Sequence, residues 1–116
     1  MNLEDYRNFC LSLAATSEST PFDENTLVFK VLDKMFVLTN LHTFASVNLK
    51  CDPEKAIELR EKYDFILPGY HMSKKHWNTV QNPAYVDEHL LKEMTLESYR
   101  LVVSKMPKKD QSLLGM

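Results

Sequence analysis

Apolar positions recur at helical spacing at Leu3, Tyr6, Cys10, Leu13 and Ala14, so residues 3–15 predict an amphipathic helix. Asn2 is placed to cap it, and Glu4 and Asp5 stand at the positive end of its dipole. The polar run from Thr16 to Thr20 ahead of Pro21 competes for backbone hydrogen bonds and predicts a loop. From Thr26 the period falls to two. TLVFKV and KMFVLT, rich in β-branched and aromatic residues, flank Leu32-Asp33 and predict a hairpin. With those residues as its turn, one face carries Leu27, Phe29, Val31, Phe36 and Leu38, and the other Val28, Lys30, Met35 and Val37. After a turn at 40–43, FASVNLK alternates as a third, half-buried strand.

Asp52-Pro53-Glu54 is a helix start, and the helix runs to about Tyr63 with Ala56, Leu59 and Tyr63 inward. FIL predicts a short strand stopped by Pro68-Gly69, and His76–Val80 another. Residues 87–106 place Leu90, Leu91, Met94, Ser98, Val102 and Met106 on one side of a long helix that Pro107 ends, leaving a frayed tail. The order α-β-β-β-α-β-β-α predicts an α+β, two-layer domain, with an antiparallel sheet of about five strands and the helices on one face. The other face is left open to solvent or a partner. A length of 116 residues accommodates one core, hence one domain over 1–116.

Composition narrows the function classes. The chain has 44% hydrophobic and 26% charged residues, as a globular protein does, and its net charge of −2 supplies no global field for polyanions, so any such binding must come from a local patch. Cys10 and Cys51 stand far apart with no CxxC, which argues against a disulfide scaffold or a zinc knuckle. The acidic N-terminus without a long apolar run predicts neither a signal peptide nor a membrane span, and a cytoplasmic protein with reduced thiols is expected.

The densest chemistry lies in PGYHMSKKHWNTV, from Pro68 to Val80. Lys74 and Lys75 are candidate phosphate contacts, Tyr70 and Trp77 candidate stacking surfaces, and His71, His76 and Asn78 candidate polar contacts for a nucleic acid. Lys30, Lys34 and Lys50 extend this patch if they share its side of the sheet, and Lys105, Lys108 and Lys109 form a second basic spot. The competing reading makes the stretch a demanding turn, with both aromatics packed into the sheet. His71 and His76 share no helical face, and His42 and His89 have no evident ligand neighbours, so no metal is expected. With two glycines in the chain there is no phosphate-cradling loop or dinucleotide fingerprint. Cys51, at a helix start, is a better nucleophile candidate than Cys10, but Asp52 beside it disfavours a thiolate. A non-enzymatic protein without a cofactor is expected.

Together with PF, VFKVLDKMFVL, VNLKCDPEKAIELR and SYRLVVSKMPKK, taken in that order over most of the chain, the PGYHMSKKHWNTV stretch resembles the MmcQ/YjbR family. The resemblance implies a fold similar to the bacterial frataxin CyaY, a double-wing arrangement, and DNA binding, which is proposed for the family. Two features depart from the family pattern: Leu32-Asp33 stands where relatives often have a glycine, and QNPAYVDEHL replaces a glycine-containing loop. The acidic ridge of frataxins is reduced to Glu4 and Asp5, so iron binding does not carry over. The expectation is DNA binding through residues 70–78. The alternative is a protein or peptide partner, or a homodimer, on the apolar open face around Val28, Met35 and Val37.

Overall fold

The structure is a computed structural model, and it describes residues 1–70 and 72–115. Asn2 caps helix α1 (Leu3–Leu11), its Oδ1 accepting a hydrogen bond from the Asp5 amide at 2.8 Å. The helix ends short of its apolar stripe because Ala15, at φ 57°, turns the chain into strand β1 (Thr16–Ser19). This strand replaces the predicted loop. It pairs antiparallel with β2 (Thr26–Val31), Thr16 opposite Val31, at the edge of the sheet. An edge strand with one solvated side needs no apolar alternation, so TSES carries no strand signature. Its anchor is Glu18, whose carboxylate accepts a hydrogen bond from Arg7 Nε of α1 at 2.9 Å.

Strand β3 (Lys34–Asn40) returns beside β2 through the expected turn, with Leu32 at φ 45° and Asp33 at φ 70°. Two left-handed residues in succession match the right-handed twist of the strands. Pairing then runs Phe29 to Val37 but Lys30 to Met35, so Phe36 is the extra residue of a β-bulge. The bulge corrects the predicted faces. Phe36 and Val37 both turn into the core, each fully buried, and Leu38 is handed to the opposite face with Val28.

The chain continues through β4 (Ser46–Lys50), α2 (Pro53–Lys62), β5 (Ile66–Pro68), β6 (Trp77–Gln81) and α3 (Glu88–Ser104). The tail, expected to be frayed, forms a short helix α4 (Lys108–Leu113). Asp87 caps α3 by accepting from the Leu90 amide at 2.9 Å, whereas Asp52 occupies the cap position of α2 without a side-chain bond. The six strands form one antiparallel sheet in the order β1-β2-β3-β4-β6-β5, one strand more than the pattern predicts.

All three long helices lie on one face: α1 against β1, α2 against β5 and β6, and α3 across β2, β3 and β4. The core between the layers centres on Tyr6, Phe29, Phe36, Leu91 and Tyr99. The hydroxyls of Tyr6, Thr95 and Ser98 within it are paired. Thr95 Oγ1 donates to the Leu91 carbonyl at 2.8 Å, which leaves Tyr6 Oη to donate to Thr95 Oγ1, also at 2.8 Å. Ser98, fully buried, stands between β3 and β4 where the bulge opens the ladder: its Oγ accepts from the Lys50 amide at 2.9 Å and donates to the Phe36 carbonyl at 2.6 Å. No helix among the described residues is long and apolar enough to cross a membrane.

Candidate nucleic-acid interface

The face of the sheet away from the long helices carries a second, smaller apolar cluster of Val28, Leu38 and Trp77, flanked by half-buried Met35 and Met72. The segment between β5 and β6 folds back over it. The Gly69 amide donates to the Trp77 carbonyl at 2.9 Å, the Tyr70 amide to Thr79 Oγ1 at 2.9 Å, and the Trp77 amide to the Ser73 carbonyl at 2.9 Å. Glycine is required here because the segment crosses directly above Trp77: a Cβ at position 69 would sit 2.7 Å from Trp77 Cβ. From the helix side Arg60 clamps the same region. Its Nε donates to Asn78 Oδ1 at 2.7 Å and its Nη2 to the Lys74 carbonyl.

These contacts divide the candidate residues of this stretch. Trp77 is buried, 8% exposed, and packs under Met72 instead of presenting a ring for stacking. Asn78, 3% exposed, faces the other layer, where Arg60 and the Ala56 carbonyl occupy its side chain, so it offers no external polar contact. Consecutive strand residues point to opposite sides of a sheet, so Trp77 and Asn78 cannot serve one surface. Lys74, Lys75 and His76 are exposed, and Tyr70 is 68% exposed. His71 lies outside the described residues. In this part of the chain the competing reading, of a demanding turn, describes Trp77 and Gly69, while Tyr70 stands out from the sheet.

The structure builds a different basic site. Lys50 lies opposite Trp77 in the β4–β6 ladder, Lys34 follows the hairpin turn, and Lys105 ends α3. All three line one depression of about 520 Å³, floored by Met35, Trp77 and Met106, with Asp110 the single acid in its wall. None of the three forms an ion pair among the described residues. The two basic spots expected from sequence thus merge in part, because the end of α3 reaches the hairpin end of the sheet. Lys108 and Lys109 stay on exposed α4 and do not line it.

Met35 also belongs to an adjoining groove of about 500 Å³ across the open face, which Phe22 and Tyr70 flank and Leu38, Asn48 and Met72 line. At its edge, backbone amides of Asn25 and Thr26 donate to the Asp23 carboxylate and hold its pKa below the usual carboxylate range. The basic depression and the groove form one path of charge followed by apolar surface. Sequence reasoning missed Arg60 as the clamp; its only signal was an arginine in the last turn of a predicted helix.

Neither thiol is activated. Burial pushes Cys10 up to about 12 and raises Cys51 as well, so both are expected to resist alkylation at about pH 8 in the folded protein and to react rapidly in denaturant, where thiols return to ~8.5. Timed labelling with mass detection checks this. Among the described residues no group of three or more His, Cys, Asp or Glu side chains is arranged to hold a metal ion.

An antiparallel sheet with helices on one face, a clamped loop and a groove on the other, and a basic depression where the end of α3 meets the hairpin, defines a small α+β protein. The chain belongs to the YjbR family, whose sequence model matches residues 11–101. It is similar to the uncharacterized protein YbdF of Escherichia coli O157:H7, 37% identical over 109 residues that cover 93% of this chain and 89% of that one. It is also similar to the uncharacterized protein YjbR of E. coli K12, 25% identical over 98% of each chain. The crystal structure of the DUF419-domain protein DR2400 of Deinococcus radiodurans superposes with a TM-score of 0.89 at 41% identity, covering 99% of this chain and 88% of that one.

Proposed function

We propose that this chain is a non-enzymatic nucleic-acid-binding protein that takes backbone phosphates at Lys34, Lys50 and Lys105 and lays unpaired bases along the adjoining groove toward Tyr70. The observation that carries the reading is the convergence of three lysines, from three separate elements, on one depression with an apolar floor. Ammonium groups facing a concavity with a single acid in its wall attract a polyanion locally even though the chain as a whole is slightly acidic. The Met35 side chain continues the floor into the groove, where base faces find apolar contact.

Three phosphate contacts set a modest footprint, so log K for single-stranded DNA should fall against log salt with a slope of about −2. The variant Lys34→Gln/Lys50→Gln/Lys105→Gln, which keeps most of each aliphatic stem, is expected to lower affinity at least about tenfold and flatten that slope. The variant Lys74→Gln/Lys75→Gln is expected to change affinity less than about threefold. Fluorescence anisotropy with a labelled oligonucleotide at two salt concentrations measures both. An equal or larger loss in the second variant would return the site to the loop, and indifference to both would remove the nucleic-acid reading. The Met35, Leu38 and Met72 lining of the groove favours one other ligand, an apolar peptide, whose binding would persist as salt is raised.

A further inference from the structure

On the helix side of the sheet, α2 packs against β5 and β6 while α3 packs across β2, β3 and β4, and a gap remains between the two helices above the seam of β4 and β6. The gap is a cleft of about 140 Å³ with Leu49 and Val80 in its floor and Leu59, Leu90 and Met94 in its walls. That volume is close to the ~150 Å³ of an apolar cavity able to hold a single benzene ring. Its mouth is charged. Lys55 stands on the α2 side and Glu93 and Glu97 on the α3 side.

Those opposite charges do not meet across the opening: neither Lys55 nor Glu93 forms an ion pair among the described residues, and Glu97 pairs along its own helix with Arg100 at 3.1 Å. Lys55 and Glu97 line the same opening, with the Cys51 thiol at its edge. The one neutral polar side chain in the lining, Asn78, is already bonded to Arg60 and the Ala56 carbonyl and asks nothing of a ligand. We propose that this cleft binds a free α-amino acid with a branched apolar or single-ring side chain. The side chain fills the space over Leu49 and Val80, the ammonium group faces Glu93, and the carboxylate faces Lys55. The cleft opens between α2 and α3, and Lys50 lines both it and the basic depression, so the two sites adjoin at that residue while the apolar floor and Lys55, Glu93 and Glu97 belong to the cleft alone.

A titration of 15N-labelled full-length protein with leucine, isopentylamine, 4-methylpentanoate and glycine separates the contributions. Leucine is expected to bind with a dissociation constant in the range of about a millimolar, as a ligand of nine heavy atoms should, and to shift the amides of Leu59, Leu90 and Glu93. Isopentylamine and 4-methylpentanoate, each lacking one charged head, are expected to bind about two- to fivefold more weakly, and glycine not at all. Lys55→Gln should erase the advantage of leucine over isopentylamine while leaving the affinity for isopentylamine unchanged. Leu59→Trp, which fills the cleft, should abolish binding of every probe. If Leu59→Trp does not fold, the exposed Lys55 substitution still decides. Equal affinity for leucine and isopentylamine in the unsubstituted protein, shifts confined to other residues, or no binding of leucine at ~20 mM would overturn the proposal.

Discussion

Ser98→Ala is expected to lower the free energy of unfolding by about 2–4 kcal/mol, because it orphans two buried backbone groups at once. On the hairpin side of the Val37–Leu49 pair the hydroxyl links β3 to β4: it accepts from the Lys50 amide and donates to the Phe36 carbonyl. The Phe36 bulge makes this link necessary. An extra residue in β3 carries its carbonyl away from β4, and a direct strand-to-strand bond is replaced by one through the helix. Alanine at 98 leaves a donor and an acceptor desolvated beneath α3, where Ser98 itself is fully buried. Ser104→Ala is the matching control, since that exposed hydroxyl bonds only to the Leu101 carbonyl of its own helix, and a change within about 0.5 kcal/mol is expected. Urea unfolding of the two variants against the parent protein checks both; equal midpoints would mean that water or strand movement replaces the Ser98 bridge.

Gly69→Ala is expected to cost about 1–3 kcal/mol, through overpacking instead of lost bonding. The new methyl would lie 2.7 Å from Trp77 Cβ and 2.9 Å from its carbonyl oxygen, closer than real Cβ contacts come. Neither atom can yield cheaply, because that carbonyl accepts from the Gly69 amide and β6 is a sheet-interior strand paired with both β4 and β5. The segment between β5 and β6 must therefore lift, uncovering the Val28, Leu38 and Trp77 cluster that Met72 caps. Trp77 is the single tryptophan of the chain, so its emission reports the movement directly, and a red shift should accompany the lowered urea midpoint. A variant with unchanged emission and midpoint would show that the loop absorbs a methyl without rising from the sheet.

Both substitutions concern features that local pattern does not encode. The hairpin was legible because apolar alternation interrupted by Leu32-Asp33 is a short-range signal, and the turn falls where that signal puts it. The bulge just after it was not: Met35, Phe36, Val37 and Leu38 are all apolar, so an unbroken run gives no indication of which two neighbours face the same way. Strand β1 escaped notice for the opposite reason, being polar throughout and held by backbone pairing with β2 and by Arg7. Lys74 and Lys75 drew attention through adjacency alone. Lys34, Lys50 and Lys105 share a depression only because α3 crosses the sheet and ends at the hairpin.

The sequence by itself determined the class of fold, the helix starts at Asn2 and Asp87, the hairpin turn and the family likeness, since each rests on periodicity, capping or motif within a few residues. Tertiary structure alone decided which face Val37 and Leu38 occupy, that Ser98 completes a strand ladder, that Trp77 and Asn78 serve opposite layers, and which lysines meet. Those outcomes depend on contacts between elements distant along the chain, where burial, close packing and the pairing of buried polar groups act together.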